Sequence, residues 1–285
     1  MKVLLFGASG QVGWRLKEQL GDDCIALTRS QCDLSQVNEK QARALIESYE
    51  PDIIVNAAAF TAVDAAEQQP DMAMQVNATA AGILAKAAGS IPFVHLSTDY
   101  VFAGNNAPYN EAAHADPLNK YGLSKWRGEQ AILAAEGNSY IFRLQWVYDK
   151  RGANFYLTMR KLLAERTVLK IVADQFGAPT SAGSVAAALV QAMHAIKQGT
   201  LAAGVYHLAC SGHTSWHGFA SAIAQSIPSR ATQCIEAITT AEYPTPAHRP
   251  LDTRLDCSAL ASHGIVMPHW RTALNQLMEE KDAHR

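Results

Sequence analysis

Short apolar runs alternate with stretches whose apolar residues recur every three or four positions, and the alternation persists through the first half of the chain. Runs at 3–6, 24–28, 53–56, 93–97 and 140–144 read as strands. Between them, 11–20, 37–49, 72–88 and 121–135 carry helical spacing. Strand and helix in regular succession predict an α/β fold, a Rossmann-like doubly wound parallel sheet covered by helices on both faces. After Val147 the pattern loosens. Helices are predicted over 155–164, 184–196, 216–227 and 270–280, and strands over 168–172 and 205–208. Proline and glycine collect at 177–179 and 244–250, which read as loops shaping a site rather than linkers. Residues 1–150 therefore form the main domain, with segments near 168–208 returning to it, and 151–285 form mainly a smaller lobe.

The first strand breaks into a glycine-spaced turn, Gly7-Ala8-Ser9-Gly10-Gln11-Val12-Gly13, ahead of the first helix. Glycines there permit a tight turn and let backbone approach a pyrophosphate, while the helix N-terminus offers free N–H groups and a positive dipole end. Small residues also serve any strand-to-helix turn, so the loop points to a dinucleotide without proving one. The second strand ends in Leu27-Thr28-Arg29-Ser30, where an enzyme selecting NADH would carry a carboxylate for the ribose hydroxyls. Two hydroxyls and a guanidinium suit a 2′-phosphate instead, so NADPH is the expected cofactor, with NADH as the lesser alternative.

Composition narrows the classes. The chain has 285 residues and a formal net charge of −2 with both signs interspersed, which argues against nucleic acid and anionic membrane as partners. Four apolar residues after Lys2 are too few for a signal-peptide core, and no run is long enough to span a bilayer. Cys24, Cys32, Cys210, Cys234 and Cys257 are scattered, odd in number and without metal-binding spacing, as in a cytoplasmic protein with reduced thiols.

Tyr121-Gly122-Leu123-Ser124-Lys125 puts a phenol and an ammonium one helical turn apart. A cation beside a tyrosine favours phenolate and lowers its pKa from about 10, and such a tyrosine can pass a proton to an oxygen while hydride arrives at the attached carbon. An ordinary amphipathic helix would read the same in isolation; downstream of a nucleotide turn the catalytic reading prevails. Ser97-Thr98-Asp99-Tyr100-Val101-Phe102 closes the fourth strand, and open parallel sheets bind ligands beyond the carboxyl ends of their strands. Thr98 is placed to donate to a carbonyl, although a strand-end cap would use the same hydroxyl.

With these motifs the chain resembles the extended short-chain dehydrogenases that act on nucleotide sugars, and more narrowly the dTDP-4-dehydrorhamnose reductase family. Further runs follow that family's order: Val55-Asn56-Ala57-Ala58-Ala59-Phe60-Thr61-Ala62-Val63-Asp64, Pro117-Leu118-Asn119, Trp146-Val147-Tyr148, Asp174-Gln175-Phe176-Gly177-Ala178-Pro179-Thr180, and Tyr243-Pro244-Thr245-Pro246 with Arg249-Pro250. The resemblance implies a catalytic triad of Thr98, Tyr121 and Lys125, and a sugar pocket of Val63, Asp99, Tyr100 and Trp146. It implies cofactor contacts from Gly7, Gly10, Gln11, Val12, Gly13, Asp33, Leu34, Ala57, Ala58, Ala59 and Thr61, joined by Thr28 and Arg29, with Lys125 also reaching the nicotinamide ribose. Residues 1–150 would then bind NADP(H) and 151–285 mainly the substrate. The implied reaction reduces the C4 ketone of dTDP-4-dehydro-L-rhamnose to dTDP-L-rhamnose, and the protein would be a monomer or homodimer. Some members dimerise through magnesium held by an acidic residue on the first helix; Arg15 stands there, and no metal is expected.

The chain departs from the family pattern at two places. Gln145 precedes Trp146 where Ser or Thr is usual, and Asp252-Thr253 replaces Asn-Ser after Arg249-Pro250. These changes bear on contacts to the distal nucleotide and leave the triad intact. Arg249 is a candidate diphosphate clamp, with a solvated surface arginine as the alternative. Tyr100 stands where related dehydratases carry an acid, which argues against elimination chemistry. An epimerase or dehydratase, or a non-catalytic cofactor-binding subunit, would be separated from a reductase by whether substrate consumes reduced cofactor. His213 and His217 are four apart but lack a metalloprotease glutamate and read as a helix cap and first turn. His95, inside an apolar strand, reads as a satisfied core histidine; Asn56 and Asn77 read either as side chains holding backbone near the cofactor or, equally, as residues finishing a strand or a helix turn.

Overall fold

The computed structural model describes residues 1–227, 231–232 and 234–280. Its first strand, β1 (Val3–Phe6), is wholly buried and shows why the predicted strands are apolar throughout. Val3 and Leu5 join one core with Val12, Leu16, Val185 and Leu189, whereas Leu4 and Phe6 join a second core with Ala42, Ile46 and Leu84. Side chains alternate across a strand, so a sheet covered on both faces needs apolar residues at every position.

Five further strands complete the sheet: β2 (Cys24–Leu27), β3 (Ile53–Asn56), β4 (Phe93–Thr98), β5 (Ser139–Leu144) and β6 (Gly204–Leu208). All pair in parallel in the order β2-β1-β3-β4-β5-β6. From β1 the chain winds outward to β2 and then returns to lay β3 on the other side. The crevice beyond the carboxyl ends of β1 and β3 is therefore the topological switch point, where such sheets bind ligands.

The elements follow the predicted order with three informative differences. The helix α2 (Glu39–Tyr49) starts two residues later than predicted, because Asn38 accepts from Gln41 N–H while the Gln41 side chain accepts from Asn38 N–H. The predicted 72–88 helix is divided into Pro70–Met74, a π-turn over Gln75–Thr79 and α3 (Ala80–Ala88). A strand at Cys234–Ile238, absent from the sequence reading, pairs with Val168–Val172. Three of its five residues are exposed, so no apolar run marks it. The helix α1 (Gln11–Leu20) packs on Ala182–Lys197, and α4 (Lys120–Leu133) on the π-turn and α3. No helix among the described residues is long and apolar enough to cross a membrane.

Candidate active site

The glycine turn is pressed against the loop that follows β3. Gly7 has φ +83°, and a Cβ there would lie 2.4 Å from Ala58 N; one at Gly13 would lie 2.2 Å from the Gly7 carbonyl oxygen. Gly10 caps α1 without a side chain, leaving first-turn N–H groups such as those of Gln11 and Val12 to a bound anion. Val12 itself is core, and the Gln11 side chain accepts from Asn154, so both offer backbone to the crevice. Across it, Ala57 N–H donates to the Phe6 carbonyl, and Ala58 N–H to Asn56 Oδ1 at 3.1 Å. Asn77, buried within the π-turn, accepts from Phe60 N–H and donates to the Phe60 carbonyl and Ser124 Oγ. The expectation that Asn56 and Asn77 hold backbone is met, and the loop carrying Ala57, Ala58, Ala59 and Thr61 is fixed. A cradle that a Cβ would fill, beside an uncapped helix N-terminus, fits a dinucleotide pyrophosphate.

At the rim, the Arg29 side chain is 78% exposed and its Nε donates to Asp33 at 3.1 Å. Asp33 is held below the ordinary carboxylate range, first by Ser35 N–H and hydroxyl and then by Arg29. Thr28 donates through its hydroxyl and N–H to Gln31, while Leu34 is buried in the core.

Thr98 is the last residue of β4. Its hydroxyl accepts from Tyr100 N–H and donates to Asp99, both at 3.2 Å. A Cβ at Gly122 would lie 2.1 Å from the Tyr100 carbonyl oxygen, so glycine lets α4 close on this turn and bring Tyr121 to it. The Tyr100 and Tyr121 rings meet edge to face, with centroids 5.9 Å apart. Burial pushes the Tyr121 phenol up to about 12, against the pull of the Thr98 hydroxyl, and pushes Tyr100 up as well. The sequence predicted a phenol lowered by the neighbouring ammonium; here Lys125 has turned toward β4. Its Nζ donates to the Leu96 carbonyl at 2.5 Å and lies 3.0 Å from His95 Nε2. Burial lowers Lys125 to about 8.

A second buried network underlies Thr98. Asp99 is 2% exposed, and its carboxylate receives the Gln145 amide at 3.0 Å and the Thr253 hydroxyl. Gln145 also donates to the Thr253 carbonyl and accepts from Ala178 N–H. Burial raises Asp99 to about 6 in spite of these donors. From the sequence, the departures at Gln145 and Asp252-Thr253 bear on the distal nucleotide contacts; in the structure Gln145 and Thr253 are buried on Asp99, and Asp252 pairs with Arg254. Beside them, Glu129 joins Arg143 and Ser97 in a further buried cluster.

Val63, Tyr100 and Trp146 are half-buried. Trp146 has φ +44° and stacks on Trp216 with centroids 3.6 Å apart and planes within 10°. Trp216 Nε1 donates to Gln175 within the Asp174–Thr180 run. Arg249 is no solvated surface arginine: two of its nitrogens reach the Asp64 carboxylate, at 3.0 and 2.8 Å, with a further bond to Thr245.

A family model described as the RmlD substrate binding domain matches residues 1–283. The dTDP-4-dehydrorhamnose reductase of Burkholderia thailandensis is 45% identical, over 96% of this chain and 97% of its own length. The chain belongs to the dTDP-4-dehydrorhamnose reductase family. That of Escherichia coli K12 is 39% identical over 98% of each chain. A crystal structure of the family's member from Bacillus anthracis, in complex with NADP, matches with a TM-score of 0.91 at 32% identity, covering 99% of this chain and 100% of that one.

Within this dTDP-4-dehydrorhamnose reductase scaffold, sequence reasoning missed His95, Trp216 and Asp64 as parts of the site. His95 has both ring nitrogens partnered, as a core histidine should, but one partner is Lys125. A buried histidine two residues before the Ser97-Thr98 pair points to the same face of β4 as Ser97, and that alternation was the available signal. His213 lies before the Ser215 cap and His217 Nε2 donates to the Ile235 carbonyl, which suits the predicted helix start. Among the described residues no group of three metal-ligating side chains converges.

Proposed function

We propose that this chain reduces the C4 ketone of dTDP-4-dehydro-L-rhamnose to dTDP-L-rhamnose with NADPH, the last step of rhamnose-donor synthesis. The observation that carries this reading is the meeting of Thr98 and Tyr121 at the carboxyl end of β4, with Lys125 behind them, next to the crevice between β1 and β3. When bound, NADPH supplies the hydride. Main-chain groups of Gly7, Gly10, Gln11, Val12 and Gly13 take the pyrophosphate, and the loop through Ala57, Ala58, Ala59 and Thr61 closes the other wall. Thr28 and Arg29 meet the 2′-phosphate, Asp33 and Leu34 the adenine, and Lys125 the nicotinamide ribose.

Thr98 hydrogen-bonds the carbonyl oxygen and Tyr121 gives it a proton as negative charge develops there. A phenol held up to about 12 stays protonated at neutral pH, which is the state a proton donor requires. Val63, Tyr100 and Trp146 surround the sugar, Asp99 acts on it through Thr98, and Arg249 meets the diphosphate. The five free cysteines fit a cytoplasmic enzyme working as a monomer or homodimer. Incubation with NADPH and a panel of dTDP-4-keto-6-deoxy sugars, followed by loss of reduced-nicotinamide absorbance, tests the reading. Consumption of substrate without oxidation of NADPH would replace it with an epimerase or dehydratase.

A further inference from the structure

The environment of Lys125 is chemically one-sided. Ala58 N–H donates to Asn56 Oδ1 at 3.1 Å, so the other end of that amide, Nδ2, is the atom facing His95 Nδ1 at 3.1 Å. An amide nitrogen can only donate, and Nδ1 therefore accepts. The single proton of the neutral ring then sits on Nε2, 3.0 Å from Lys125 Nζ. An Nε2–H facing an ammonium sets donor against donor; facing an amine it finds a lone pair. Bulk solvent does not reach these groups, because Asn56 and His95 are 0% exposed and Lys125 is 1% exposed. The other hydrogen bond of Nζ, to the Leu96 carbonyl, is one that an amine makes as well as an ammonium does.

We propose that Asn56 and His95 are positioning residues whose fixed hydrogen-bond polarity favours the uncharged amine of Lys125 over the ammonium in the cofactor-free protein. The titratable groups that bear on this amine are His95 from β4, 3.0 Å away, and Glu129 from its own helix. Glu129 favours the ammonium, but its carboxylate is bonded to Arg143 from β5 and to Ser97. Burial drives His95 and Lys125 alike toward their neutral forms. The inference rests on the proposed reading in one respect, that a ribose hydroxyl draws Lys125 away from His95. The freed amine then takes one proton from solvent, so cofactor binding is accompanied by proton uptake near pH 8.

Long-range ¹H–¹⁵N spectra of the cofactor-free protein with labelled histidine read the ring directly. The Nε2–H tautomer is expected for His95 at pH 9, where Lys125 is the amine; an Nδ1–H tautomer or an imidazolium overturns the proposal. Asn56→Asp keeps an acceptor for Ala58 N–H and presents a second one to Nδ1, which moves the ring proton there and leaves Nε2 to accept from an ammonium. The Lys125 titration, followed by carbon NMR of its ε-methylene, should then rise by about one pH unit or more. An unchanged tautomer and titration in this variant would overturn the polarity argument, and the wild-type spectrum decides the matter if the variant does not fold. Calorimetry of NADP⁺ binding at pH 8 in two buffers of different ionisation enthalpy should show proton uptake, reduced in Asn56→Asp; binding without uptake removes the cofactor-linked part. None of these readouts needs a sugar substrate, so their failure is distinct from failure of the reductase reading.

Discussion

Gln145 donates its side-chain amide to Asp99 Oδ2 at 3.0 Å, and the Thr253 hydroxyl donates to the same oxygen. These are the two positions at which the chain departs from the family pattern inside the site, and they meet each other as well, Gln145 Nε2 lying 3.0 Å from Thr253 Oγ1. The paired departures preserve a donor set for a buried carboxylate that in turn receives the Thr98 hydroxyl. A buried acid left without such donors costs stability, so the two changes support one another.

The pH dependence of stability should report this carboxylate. The folded pKa of Asp99 is about 6 and its ordinary value 3.8, so between them the folded protein holds a proton that the unfolded chain releases. The contribution of Asp99 therefore falls as pH rises through that window, by about 2–3 kcal/mol in all. Asp99→Asn removes the titration. Urea denaturation should show wild type losing roughly that amount relative to the variant between pH 4 and pH 7. A constant difference would mean that Asp99 ionises as easily folded as unfolded.

Removing the phenol in Tyr121→Phe keeps the ring that meets Tyr100 edge to face but takes away the proton donor. Turnover should fall roughly 100- to 10,000-fold while NADPH affinity changes little. Near-normal turnover would exclude Tyr121 as the acid.

What the chain order could reveal was local. The glycine turn, the Tyr121 to Lys125 spacing and the strand end at Thr98 each depend on residues within one turn or one loop, and each stands where the sequence put it. The partners of those residues come from far along the chain. Asp64 meets Arg249 across 185 positions, Gln145 meets Thr253 across 108 and Asp99 across 46, and His95 meets Lys125 across 30. Only the packing of β4, β5 and α4 against the 245–253 loop brings them together, so neither periodicity nor motif spacing carries the information. The direction of the Lys125 side chain was illegible for the same reason: helical spacing sets where its Cα stands, while the Leu96 carbonyl and His95 decide where Nζ goes.

Arg15 occupies the helix position where some family members use a metal-binding acid. Its Nε and Nη2 reach Asp149 at 2.6 and 2.7 Å, and Nη2 also reaches Glu280 at 2.6 Å. The Asp149 carboxyl is 1% exposed, so Arg15→Ala leaves a buried charge without its cation and should cost about 3 kcal/mol in urea denaturation. A hard cation gains nothing beside that guanidinium. Activity should therefore persist in EDTA, and a complete, magnesium-reversible loss would show that the carboxylates serve a metal after all.

Arg29 is expected to set the preference between cofactors. In the cofactor-free protein its guanidinium rests on Asp33 at 3.1 Å, with the side chain largely in solvent, and an exposed pair of this kind is weak. A 2′-phosphate offers more charge and more acceptor oxygens than the carboxylate does, so Arg29 can turn to it at small cost. Asp33 remains ionised because Ser35 supplies two of its hydrogen bonds independently of Arg29. NADH brings only a ribose hydroxyl to this place and gains little from the guanidinium. Arg29→Ala should therefore raise the Michaelis constant for NADPH about 10-fold, the equivalent of one charge-assisted pair of about 1.4 kcal/mol, and leave that for NADH nearly unchanged. Measuring both constants in wild type and variant separates specificity from damage. Equal increases for the two cofactors would assign Arg29 to the shared pyrophosphate or to folding, and the preference for NADPH would then have to come from Thr28 and the backbone around it.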